Sequence, residues 1–124
     1  MTPARLQELV NADPALVRRG RLVSGAVRID VGDEQWFLDI SRGRVESARY
    51  GPLVMPATRL RFAASAAEWT AFWEARPRPG HHDLMALLRR RTLRVEGDVH
   101  LFMSHLRYFK DLLEKPRPAV RSAA

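Results

Sequence analysis

A chain of 124 residues, 46% hydrophobic and with a net charge of +7, is one domain's worth of sequence, enough to bury a core without covalent staples. Its zero cysteines exclude disulfides and thiolate metal sites. There is no run of about eighteen apolar residues for a membrane span. The start, Met1-Thr2-Pro3-Ala4-Arg5-Leu6, lacks the apolar core of a secretion signal, so a cytoplasmic protein is expected.

The positive charge is carried almost wholly by arginine, since Lys110 and Lys115 are the only lysines. The arginines are dispersed along the chain, at 18, 19 and 21, at 42 and 44, at 59 and 61, from 89 to 91, and at 117 and 121. A nucleic-acid surface calls for clustering on one face with exposed aromatics between the charges. Dispersal reads instead as a solvated basic surface with general affinity for anions, so no specific nucleic-acid partner is expected.

In chain order, Pro3 with Leu6, Leu9 and Val10 reads as a short amphipathic helix with proline in its first turn. Asp13-Pro14 ends it or starts a second turn carrying Leu16 and Val17. Residues 21–31 alternate, with Val23, Val27, Ile29 and Val31 on one face, and Gly25 interrupts that face as a bulge would. Gly32-Asp33 turns the chain into a strand over 35–41, with Trp36, Leu38 and Ile40 on one face and Phe37 and Asp39 on the other. Arg42-Gly43 leads to a third strand, 44–50, completing an antiparallel meander. Pro52 and Pro56 remove ladder donors, so the sheet pauses there. The apolar triplet Leu53-Val54-Met55 between them is expected to fold over the core, or else to line a pocket mouth or a dimer contact. Residues 58–65 resume a strand, alternating Leu60, Phe62 and Ala64 against Arg59 and Arg61.

Ser65 with Glu68 has the spacing of a capping box. The helix that follows places Trp69, Phe72 and Trp73 on one face. Arg76-Pro77-Arg78-Pro79-Gly80 breaks it, and residues 81–90 form another short helix with Leu84, Leu87 and Leu88 inward. A fifth strand, 92–96, ends at Gly97-Asp98. Asp98 then caps a last helix from Val99 to Leu113, whose stripe of Val99, Phe102, Met103, Leu106, Phe109 and Leu113 is widened by Leu101, Tyr108 and Leu112. Pro116 and Pro118 stop it. The expected organisation is a single α+β domain over residues 1–115, with a frayed tail at 116–124.

Catalytic and metal-binding chemistry finds little support. The adjacent His81 and His82 diverge by about 100° on a helix, and Asp83 fits a helix start. His100 and His105 diverge by the same logic. Ser24 and Ser104 lack the flanking glycines of a nucleophile elbow, and the seven glycines are scattered rather than gathered in a phosphate loop. Glu96 and Asp98 are paired, but Asp98 is better explained as a cap. No catalytic residue, metal site or cofactor is therefore assigned, and the chain reads as a non-enzyme.

Three stretches carry a family resemblance. Trp36-Phe37-Leu38-Asp39-Ile40 with the Gly43 turn resembles the second strand and hairpin of the sterol carrier protein 2 (SCP2) family. Thr58-Arg59-Leu60-Arg61-Phe62 followed by Ala66-Ala67-Glu68-Trp69 is similar to that family's strand leading into a helix. Leu93-Arg94-Val95-Glu96-Gly97-Asp98 resembles its last strand end. The match spans about residues 21–113 and departs at Met55-Pro56-Ala57 and in the proline-rich linker at 76–80.

The resemblance implies an α+β fold with a five-stranded, mostly antiparallel sheet and helices packed on one face. It also implies a hydrophobic tunnel between them that encloses a lipid or other apolar small molecule. The side chains expected to line it are Trp36, Leu38, Phe62, Trp69, Phe72, Trp73, Leu87, Phe102, Met103 and Leu106, with Arg59 or Arg61 at a mouth to hold a carboxylate. Bulky rings leave irregular gaps, and methionine adapts to what fills them; an aromatic stripe also packs as an ordinary core. The alternatives are a solid-core interaction module, as a homodimer or with a partner enzyme, and, third, a basic nucleic-acid binder.

Overall fold

The computed structural model describes residues 1–53 and 57–118. Two capped helices open the chain. The Thr2 hydroxyl accepts from the Arg5 N–H and Pro3 stands in the first turn of α1 (Pro3–Asn11). The Asp13 carboxylate accepts from the Leu16 N–H ahead of α2 (Pro14–Arg19). Both are proline-started helices whose orphan donors are met by the preceding side chain. They bury Leu6, Val10 and Leu16.

The meander follows as β1 (Gly25–Val31), β2 (Glu34–Ser41) and β3 (Arg44–Tyr50), then β4 (Leu60–Ala64) and, after two helices, β5 (Leu93–Gly97). The sheet order is β3-β2-β1-β4-β5, antiparallel throughout except for the parallel pair β1·β4. Strand alternation and register together produce continuous rows across the sheet. Tyr50, Trp36, Ile29, Phe62 and Val95 form one row, and Ala48, Leu38, Val27, Leu60 and Gly97 the next. These rows face the helices, because side chains two apart on a strand share a face.

The other face carries the row Arg49, Phe37, Arg28, Arg61 and Glu96. Asp30 is buried there between two guanidiniums, 2.6 Å from Arg28 Nε and 2.6 Å from Arg61 Nη2. Arg61 also reaches Glu96 at 3.1 Å. Phe37 is buried on this face too; it lines a small cleft with Leu53 and Ala57, residues of the chain passing from β3 to β4. Val54 and Met55, the rest of the apolar triplet, lie outside the described residues.

Irregularity in the ladder falls between Asp39 and Ile40 in the β2·β3 pair, not at Gly25. Glycine is needed at Gly25 for another reason. Its φ is +138°, and an added Cβ would strike the Arg59 side chain.

The Ser65 hydroxyl accepts from the Glu68 N–H to start α3 (Ala66–Phe72). The next helix, α4 (Leu84–Arg89), begins at Asp83, whose carboxylate accepts from the Met85 N–H, so His81 and His82 precede it. The single last helix expected from the sequence is two: α5 (Val99–Ser104), capped by Asp98, and α6 (Leu106–Glu114). His105 separates them at φ −125°, ψ 36°. Arg117, early in the expected tail, is held against α3. Arg117 donates to the Phe72 carbonyl at 2.6 Å, and its guanidinium lies 4.9 Å from the Phe72 ring centre. Residues 119–124 lie outside the described residues.

Candidate ligand-binding core

Between the helix-facing rows of the sheet and the helices lies a layer dominated by rings. Trp69 is fully buried on α3 and donates its indole N–H to the Asp30 carbonyl at 2.8 Å. That bond pins α3 to the end of β1. Its ring stacks on Trp73 at 5.3 Å and 23°, and Trp73 stacks on Trp36 at 5.8 Å and 18°. Trp36 then meets Tyr50 edge-on at 6.5 Å. A file of four aromatic rings thus runs from the buried Trp69 to the exposed Tyr50, with the half-buried Trp73 inside it. These are preferred offset and edge geometries for quadrupolar rings.

A second group surrounds Phe62. Its ring is 5.5 Å from Phe102 and 5.8 Å from Phe109, and Phe109 is 5.3 Å from Tyr108. The Tyr108 hydroxyl donates to the Gly43 carbonyl at 2.7 Å, and burial pushes its phenol well above the usual tyrosine range. The Trp73 N–H donates to the Leu113 carbonyl at 2.8 Å. The polar atoms of Trp69, Trp73 and Tyr108 are thus turned to backbone partners and that of Trp36 to the Glu34 carboxylate at 3.3 Å, so the surfaces these rings present to the layer are apolar.

Of the tunnel residues expected from sequence, Trp36, Leu38, Phe62, Trp69, Phe72, Leu87 and Phe102 are buried in one cluster, with Trp73 and Leu106 packed partly against it. Leu106 also edges a recess of about 450 Å³ with Arg107, Lys110, Asp111 and Glu114. Met103 does not join them: it is 52% exposed, as Val99 is at 49%. The break at His105 resets the helical phase, so the side chains four residues apart on α5 turn outward while Leu101, Phe102, Tyr108 and Phe109 turn in.

Arg59 and Arg61 are not poised at a mouth either. Leu60 and Phe62 take the inward positions of β4, which sends their arginine neighbours to the opposite side. There Arg59 is held by Asp98 at 2.8 Å and by the Ser24 carbonyl at 2.9 Å, and Arg61 by Asp30 and Glu96. The sequence reasoning also missed Tyr108 as a keystone. Its partner is the carbonyl of Gly43, 65 positions earlier in the chain, and no local pattern announces such a pairing.

His81 is buried, with Nε2 3.2 Å from the Glu68 carboxylate and 2.8 Å from Arg90 Nη1. This cluster fastens the 73–83 linker to α3 and the end of α4. Asp83 is engaged by Lys110 at 2.9 Å. Among the described residues, no group of three or more histidines and carboxylates is placed to hold a metal ion, and no helix is long and apolar enough to cross a membrane.

A helix-covered, five-stranded sheet with one parallel pair defines an α+β class also found in solved structures. The chain has the sterol carrier protein 2 fold. A crystal structure of sterol carrier protein 2 superposes with a TM-score of 0.77 over 95% of each chain, at 16% identity. Palmitated SCP2L2 from Aedes aegypti matches at 0.56, 16% identity, over 98% of this chain and 100% of that one. A ubiquinone synthesis protein, UbiJ-SCP2, matches at 0.59, 19% identity, over 92% and 90%. No family model matches the sequence, and no curated protein matches it.

Proposed function

We propose that this protein is a non-catalytic binding or carrier domain that encloses a lipid or other apolar small molecule between its sheet and helices. The observation that carries the reading is the ring file Trp69–Trp73–Trp36–Tyr50, which leads from the buried layer to the surface. The fold supports it, since one neighbour of the same architecture is described as palmitated. In the geometry described the rings touch, so an apolar chain would have to part them. Trp73 is the ring best placed to yield: it caps the end of α3, is half-buried, and is fixed by a single side-chain hydrogen bond.

Energetically such uptake needs no polar recognition. Removing ~300 Å² of ligand surface from water contributes about 7 kcal/mol at 25 cal/mol per Å², before the costs of association and of displacing the rings. Absent cysteines and the lack of a spanning helix among the described residues are consistent with a cytoplasmic carrier.

The direct ring contacts favour a second reading, a solid-core module that acts by binding an enzyme or a second copy of itself. Native mass spectrometry of the purified protein, followed by solvent extraction, separates the two. A co-purified apolar molecule supports the carrier. A ligand-free mass, together with no response to fluorescent fatty acids and sterols, favours the solid core.

A further inference from the structure

The two edges of the sheet are finished differently. At β3 the side chain of Asn11 takes the place of a further strand. Its Oδ1 accepts from the Val45 N–H at 2.9 Å and its Nδ2 donates to the Val45 carbonyl at 2.8 Å, with Gln7 donating to the same carbonyl. β5, the other edge, pairs with β4 alone. Two bonds fix the direction of its backbone groups. Gly32 N–H donates to the Ala64 carbonyl at 3.0 Å, which turns the even-numbered residues of β4 toward β1. Asp98 N–H donates to the Arg59 carbonyl at 2.7 Å, in step with odd-numbered residues turned toward β5. Since ladder groups alternate in direction along a strand, Arg94 and Glu96 bond to β4, while Leu93 and Val95 present their N–H and carbonyl outward. Among the described residues, no hydrogen bond outside the sheet ladder reaches either of them.

An open edge of this kind is a template for another strand, and the side chains of β5 select which one. Arg94 and Glu96 lie on the sheet face turned away from the helices, 66% and 48% exposed. They flank Val95, which is half-buried against the core. Their own contact is loose, at 3.9 Å, while Arg61 holds Glu96 from the β4 side at 3.1 Å. We propose that β5 is the interface of a two-fold homodimer, pairing antiparallel about Val95 with β5 of a second copy. In that register Val95 opposes its own equivalent, and Arg94 of each copy opposes Glu96 of the other.

Backbone and side chains agree on this register. Val95 meets its equivalent as a hydrogen-bonded pair, so the positions beside it are non-hydrogen-bonded pairs, where cross-strand side chains approach most closely. Those positions hold the two Arg94–Glu96 pairs, one on each side of the axis, as an isologous contact requires. Glu96 then stands between Arg61 of its own sheet and Arg94 of the second copy, which continues the alternation of Asp30, Arg61 and Glu96 across the junction. Parallel pairing in register would instead set Arg94 beside Arg94. Charges on an edge strand ordinarily blunt it; here their order, positive then negative around an apolar residue, makes the strand complementary to its own reversed copy. So short a strand buries less than the ~1,200 Å² of a stable interface, and the dimer is therefore reversible and favoured by concentration. The inference stands whether or not the core takes a ligand.

Sedimentation velocity over a concentration series tests it. Wild type is expected to pass from monomer toward dimer as concentration rises to about 1 mM. Val95→Pro removes an outward donor without removing a bond to β4, and should abolish the dimer. Arg94→Glu and Glu96→Arg each set like charges opposite one another across the axis, and each should weaken the dimer by about tenfold or more, with far-ultraviolet dichroism unchanged. An equimolar mixture of these two variants regains both opposite-charge pairs in the heterodimer, and should associate more tightly than either variant alone; misfolded chains would not. A wild type that stays monomeric to the top of the series would overturn the proposal. So would a dimer that Val95→Pro leaves intact, or a mixture that fails to regain association.

Discussion

The indole rings of Trp36 and Trp73 lie 5.8 Å apart and 18° from parallel, so the second strand and the third helix meet through a stacked aromatic pair. Since Trp69 stacks on the other side of Trp73, all three tryptophans of the chain report on one place.

Intrinsic fluorescence is therefore a direct readout of the interlayer. An apolar ligand that parts the rings is expected to shift or quench tryptophan emission in a saturable titration, with Trp73→Phe blunting most of the response. A flat titration with fatty acids and sterols, in protein shown to be folded, would count against a ligand between the rings.

Phe62 and Met103 should separate cleanly in stability. Phe62 is buried between Phe102 and Phe109, and Phe62→Ala is expected to cost about 3–5 kcal/mol, a large share of the ~5–15 kcal/mol that holds a domain together. Met103→Ala, on the outward face of α5, should change stability by less than ~0.5 kcal/mol. Urea denaturation of both variants checks this; equal losses would place Met103 in the core.

Tyr108→Phe removes the hydroxyl that donates to the Gly43 carbonyl and leaves that carbonyl without its buried donor, an expected cost of about 1–3 kcal/mol. Gly43→Ala should be worse. Gly43 has φ +85°, and a Cβ there would strike the Val17 carbonyl and crowd Gly20, so both backbone conformation and space oppose it. Thermal melts of the two variants should rank in that order.

Acid should destabilise the fold through its caps and ion pairs. The Lys115 ammonium and the Leu16 N–H lower the Asp13 carboxyl below its ordinary 3.8, and the Leu101 N–H and Arg59 do the same for Asp98. A carboxylate whose folded pKa is depressed adds stability that is present above its unfolded pKa and lost as pH falls through the folded one. Melting temperature should thus decline below about pH 4, less steeply in Asp13→Asn. Glu114 works the other way: burial raises its carboxyl above the ordinary 4.5, so protonation relieves a penalty and partly offsets that loss. A melting temperature that is flat through this range would contradict the assignment.

Much of this architecture was legible in the sequence because it is written locally. Ser65 and Asp98, read as caps from the sequence, each accept from a backbone N–H three residues on, and Thr2 and Asp13, which were not, do the same; such caps need only a short polar side chain at the right spacing. Strand alternation likewise assigned Trp36, Leu38 and Phe62 to the covered face, since a period of two leaves no other choice. The outward turn of Met103 was not legible. His105 is an ordinary helix residue by propensity, and the kink there shows only when α6 is seated with Tyr108 against Gly43.

The sequence by itself determined most of the elements, several of their caps and turns, and which face of each strand is apolar, because these depend on neighbours within about four residues. Only the tertiary structure decided that Arg59 and Arg61 are engaged by carboxylates on other elements. It alone closed three tryptophans into one file, and it alone brought Ser24, Arg42, Arg59 and Asp98 to the same end of the sheet. Those relations come from strand order and from packing between segments tens of residues apart, where no local periodicity carries the information.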